Sequence, residues 1–180
     1  RFSTYIPIII DQTTLAGKRE ILWASIPFRG RALPLAFKLF RWADIHNDPE
    51  GSQNKLEYQF IDQVVALFPE PQRLLLLFDR GYARVELLRE AWYLLTNLSR
   101  ADSAVCWYER RFRCEELFKD IKDQLHLETI RLNHPPRIER LLFAILLVYY
   151  ALMLIGVTAH RVGYRKYVCK DPISAVWMAL

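Results

Sequence analysis

The sequence is poor in residues that staple a chain or ligate soft metals. Its three cysteines, Cys106, Cys114 and Cys169, are too few and too scattered for a disulfide framework. They lack zinc-ligand spacing as well, so a reduced, cytoplasmic compartment is the expectation. The four histidines, at 46, 126, 134 and 160, form no i, i+4 pair, which excludes a helical two-histidine metal motif. No signal peptide opens the chain, because RFSTYIPIIID is already strand-like. The first residue is Arg rather than Met, which reads as a fragment or processed chain with something missing upstream. Internal repeats and low-complexity segments are absent. Long charge-free runs are scarce, with one exception, Leu141 to Ala159 (LLFAILLVYYALMLIGVTA). That run meets the length for a membrane span. The preferred reading is a helix buried on most sides in a core, because the rest of the chain reads as a soluble domain; a membrane anchor is the alternative.

What is present points to a globular chain. There are 180 residues, enough for one domain with a sizeable core. The composition is 52% apolar and 25% charged, which is globular rather than disordered. A net charge of +5 and a pI of about 9.2 are compatible with nucleic acid without demonstrating it.

Periodicity and turn residues give the elements. Tyr5 to Asp11, YIPIIID, reads as a buried strand ending at an acid. Glu20 to Phe28 and Arg31 to Trp42 read as two further strands joined by a hairpin turn at Gly30. Lys55 to Leu67 has helical spacing, and Pro69 and Pro71 end it. Arg73 to Asp79, RLLLLFD, reads as a central strand that also ends at an acid. Tyr82 to Trp92 reads as a helix and Tyr93 to Leu98 as a short strand. Two long helices follow, Ala104 to Leu125 and Pro136 to Arg161, separated by His134-Pro135-Pro136. Short turns make the first three strands antiparallel, and a helical crossover makes the later strand parallel to the first. The expected architecture is α/β, a mixed sheet flanked by helices.

Three acids stand out. Asp11 and Asp79 both follow apolar strand-like runs, where a carboxylate is costly unless it caps, pairs or binds a cation. On neighbouring parallel strands both would emerge at one sheet edge, where ligands bind in open α/β sheets. Hard oxygen ligands of this kind suit magnesium; the plain alternative for each is a turn or cap. The third acid lies in YERRFRCEELFKDIK, residues 108 to 122. At about 100° per residue, Tyr108, Arg111, Glu115 and Lys122 share an arc of roughly 60°. Cys114, Leu117, Phe118, Ile121 and Leu125 form a core-facing stripe on one side of that arc. Glu109, Arg113, Glu116, Lys119, Asp120 and Asp123 form a solvated face on the other. The plain alternative is that Arg111 and Glu115 are an ordinary i, i+4 pair.

The border spacing, Tyr, two residues, Arg, three residues, Glu, six residues, Lys, resembles the Tyr-Arg-Glu-Lys signature of DDE transposases from one large group of bacterial insertion sequences. IIIDQTTL around Asp11, FRGRALPLAF after it and LLFDRGY around Asp79 are similar to that family too, in the same order along nearly the whole chain. The resemblance implies a ribonuclease-H-like fold over residues 1–180 and an acidic triad, Asp11, Asp79 and Glu115, holding two magnesium or manganese ions. It implies that Tyr108, Arg111 and Lys122 contact double-stranded DNA at the transposon end, as a homodimer on paired ends, in the bacterial cytoplasm at the nucleoid. Arg29, Arg31 and Arg80 are further candidate phosphate contacts, or else solvated turn residues. Two departures from the family pattern stand out. Only 35 residues (80–114) separate Asp79 from Glu115, too few for the β-rich insertion that members usually carry there. The family's upstream DNA-binding region is also missing. Two functions follow as expectations: a metal-dependent transposase catalytic domain without a membrane partner, or an inactive remnant that only binds DNA.

Overall fold

The computed structural model describes residues 5–15, 19–47, 51–78, 107, 109–129 and 131–164. β1 (Ile6–Leu15), β2 (Arg19–Phe28) and β3 (Arg31–Phe40) are followed by α1 (Trp42–Asn47) and α2 (Gln53–Val65). A 3-10 turn at Pro71–Arg73 then leads into β4 (Leu74–Phe78). The later described part carries α3 (Arg113–Lys119), a π-helical turn (Asp120–Gln124), a 3-10 turn (Leu127–Thr129) and α4 (Pro135–Arg161). The helix expected over Tyr82 to Trp92 and the strand over Tyr93 to Leu98 lie outside the described residues.

The strand order is β3-β2-β1-β4, with β1–β2 and β2–β3 antiparallel and β1–β4 parallel. Connection length decides this, as expected. Phe28 pairs with Arg31, so Arg29 and Gly30 alone turn the chain, with φ of 43° and 82°. Two positive φ values in a two-residue loop match the right-handed twist of the strands they join. Pro34 is tolerated in β3 because β3 is an edge strand among the described residues and the pairing is bulged at Ala24/Ser25. This mixed α/β sheet with flanking helices and a long last helix is consistent with the ribonuclease-H-like layout that the resemblance implied.

Alternation along the strands divides the core in two. Ile8, Ile10, Leu22 and Ala24 meet Phe60 and Val64 of α2 on one face. Ile9, Ile21, Trp23, Leu75 and Leu77 meet Cys114 and Leu117 of α3, with Leu142, Tyr149 and Met153 of α4, on the other. Both faces are covered, which is why the strands read as continuous apolar runs.

One boundary differs from expectation. β1 does not stop at Asp11 but continues to Leu15, because Gln12, Thr13, Thr14 and Leu15 keep pairing with β2. The polar outer residues are held there by Glu20: Thr14 Oγ1 donates to its carboxylate at 3.0 Å and Gln12 Nε2 at 3.2 Å. On its other side β1 pairs with β4, and the described pairs run from Ile6 with Leu74 to Ile10 with Phe78, the residue before Asp11.

α4 was expected to be buried on most sides, and it is buried on one. Ile138, Leu142, Ile145, Tyr149 and Met153 face the core, whereas Phe143, Leu147, Leu154 and Ile155 are each more than half exposed. A flat sheet offers a helix a single surface, and an apolar stripe satisfies it. The helix is long and apolar enough to cross a membrane by length and composition, with 33% of its most apolar stretch buried.

Candidate active site

The site begins with strand alternation. Asp11 shares the face of Ile9 and points toward the helical segment that precedes and includes α3. It is 8% exposed, so its carboxylate needs partners. Arg111 Nη1 donates to Asp11 Oδ2 at 3.2 Å, and Arg111 Nη2 donates to Glu115 Oε1 at 3.2 Å. Cys114 Sγ donates to Asp11 Oδ2 at 2.7 Å, and the Gln12 amide donates to Oδ1 at 2.8 Å. Helical spacing makes this possible: Arg111, Cys114 and Glu115 are three and four residues apart and so share one side of the helix. The i, i+4 pair is therefore real, but its guanidinium also reaches an acid from the first strand.

Burial differs sharply within the group. The Arg111 side chain is 6% exposed and that of Glu115 is 54% exposed, so the cluster opens to solvent at Glu115. Burial pushes the Cys114 thiol far up, and the Asp11 charge pushes it further. It stays protonated, which makes it a donor to the carboxylate rather than a competing anion.

A second polar cluster flanks the first. Arg31 Nη1 lies 2.7 Å from Glu116 Oε2, and its Nε lies 2.8 Å from Asp120 Oδ2. Asp120 is 2% exposed, which corrects its expected place on a solvated face. The reason is that β3 covers that flank of the helix and brings Arg31 to it, while the chain widens into the π turn at Asp120. Burial raises the Asp120 carboxyl, partly offset by Arg31. The Tyr149 phenol, pushed up by its own burial and then by the charge of Asp120, faces this cluster from α4.

The other expected residues divide. Lys122 sits in the π turn, where each residue turns the chain less than in an α-helix, and its Nζ lies 3.4 Å from Glu128 Oε1. Arg29 is exposed at the β2–β3 turn, with its guanidinium 5.8 Å from the Phe28 ring centre. Arg31 faces α3 and the π turn rather than solvent, at 12% side-chain exposure. Asp79, Arg80 and Tyr108 lie outside the described residues. Sequence reasoning missed Cys114 as a partner of Asp11, because a free cysteine packs as a small hydrophobe. Its adjacency to Glu115 was the available signal.

Residues 89–151 match the transposase DDE domain family. The match covers Arg111, Cys114, Glu115 and Lys122, and it supports a DDE transposase. No curated protein and no solved structure matches the chain significantly. Asp11 lies outside the matched stretch and reaches it through the fold, by its contacts with Arg111 and Cys114.

Such domains generally use divalent metals. Asp11 and Glu115, which meet one guanidinium, carry hard carboxylate oxygens of the kind that suit magnesium or manganese. Among the described residues no three Asp, Glu, His or Cys side chains converge as a metal site.

Proposed function

We propose that the chain is a DDE transposase catalytic domain that hydrolyses phosphodiester bonds at transposon ends and joins the freed ends to target DNA. The observation that carries this reading is the convergence of Asp11 and Glu115 on Arg111 from segments far apart in sequence. In this reading Asp11, Glu115 and Asp79 hold two magnesium or manganese ions. When bound, such ions supply activation of a water or a DNA 3′-hydroxyl and stabilise charge on the leaving oxygen.

The chain's own residues supply the rest. The Gln12 amide and the Cys114 thiol hold the Asp11 carboxylate in one orientation. Glu115, half exposed, faces the side from which DNA arrives. Arg111 offers a fork and Lys122 a point charge to backbone phosphates, and Tyr108 a hydroxyl. Arg29 and Arg80 extend that surface. Arg31, expected to touch phosphate, instead steadies the helix that carries Glu115, through Glu116 and Asp120. Action as a homodimer on paired ends, within a bacterial cytoplasm, belongs to the same reading.

The test is nicking of a double-stranded end substrate with manganese. Wild-type chain is expected to nick, and Glu115→Gln to lose at least about a hundredfold in rate, the scale of one lost charge-stabilising group. Undiminished nicking in Glu115→Gln overturns the assignment.

A further inference from the structure

The guanidinium of Arg111 is 3.2 Å from Asp11 Oδ2 on one side and 3.2 Å from Glu115 Oε1 on the other, and its side chain is 6% exposed. An arginine stays protonated in a protein, so its charge there is permanent. Two carboxylates brought together in a partly buried place repel strongly unless a cation lies between them. Asp11 does not depend on Arg111 alone, since Cys114 and the Gln12 amide also donate to it.

We propose that Arg111 is a built-in counter-ion that stands between Asp11 and Glu115 where a divalent cation binds, and that cation entry displaces it. This rests on the reading of Asp11 and Glu115 as metal-holding acids. Arg111 is then a positioning residue with two states. Without metal it keeps the acids paired and the helix docked on β1. With metal its fork is released toward a phosphate at the open side of the cluster, so that the cation and the DNA backbone are taken up together. A purely structural arginine has a different signature, because its removal loosens the acids and weakens any cation held by them.

The experiment is manganese titration by calorimetry on the full chain, comparing wild type, Arg111→Gln and Arg111→Lys. Removing a unit charge a few ångströms from the cation is expected to tighten binding in Arg111→Gln by about tenfold or more. Arg111→Lys keeps the charge and is expected to stay within about threefold of wild type. Unchanged or weaker binding in Arg111→Gln overturns the proposal. Should Arg111→Gln not fold, magnesium titration of the wild-type chain labelled with 15N-arginine gives the answer. A saturating shift of the Arg111 side-chain signal, assigned by its absence in Arg111→Lys, supports displacement. An unmoved signal while magnesium binds overturns it. Wild-type chain that binds no manganese, or binds it equally in Asp11→Asn and Glu115→Gln, removes the metal reading itself and this inference with it.

Discussion

At the scale of single residues, Cys114 and Asp120 show how neighbours decide what a side chain does. Cys114 is fully buried and gives its proton toward Asp11. Its thiolate is therefore scarce, and the thiolate is the reactive form. The peptide carrying Cys114 is expected to resist iodoacetamide at pH 8.5 in the folded chain and to react fully in urea. Mass spectrometry of the digest checks this, and rapid labelling in the folded state contradicts it. Asp120 makes a pH prediction. Its carboxyl is raised above 3.8 in the folded state, so between that value and its folded pKa the folded form binds more protons than the unfolded one. Its contribution to stability is therefore greatest in acid and declines as pH rises through the folded pKa. Urea unfolding of wild type and Asp120→Asn across pH 3.5 to 7 is expected to show wild type losing ground to the variant as pH rises. A constant difference refutes it.

At the scale of elements, Arg31 ties β3 to α3 and the π turn. Replacing it by Ala leaves Asp120 buried beside Glu116 with its cation gone, a change that costs about 3–5 kcal/mol. Chemical denaturation measures that loss, and a cost under about 1 kcal/mol marks the pair as a solvent-screened one instead. The elements also show what could be read in advance. The directions of β1 to β4 followed from turn and crossover lengths, which are local facts, whereas the place of β4 beside β1 was left open. The face of Cys114, Leu117 and Ile121 followed from helical period. The continuation of β1 through Asp11 did not, because polar DQTT looks like an end until Glu20 of β2 is beside it. The burial of Asp120 escaped for the same reason. A helical wheel carries no information about which strand will cover its polar flank.

For the whole molecule, the excess of base becomes a measurable quantity. Under the proposed function, DNA binding weakens as salt rises, with a slope of about 0.9 per phosphate neutralised. Arg29→Gln, at the exposed β2–β3 turn, is expected to reduce that slope by about one and leave manganese affinity unchanged. A slope identical to wild type removes Arg29 from the DNA surface.

The separation of Asp11 from Arg111 and Glu115 has a consequence for synthesis. A ribosome delivers β1 first, and at 5–20 residues per second the codon for Glu115 follows that for Asp11 by about 5–20 s. Throughout that interval the growing chain holds one half of an acid pair and no guanidinium between its members. Under the proposed function, a copy whose synthesis has not passed Glu115 cannot cut, and the order of the gene alone imposes this, with no inhibitor needed.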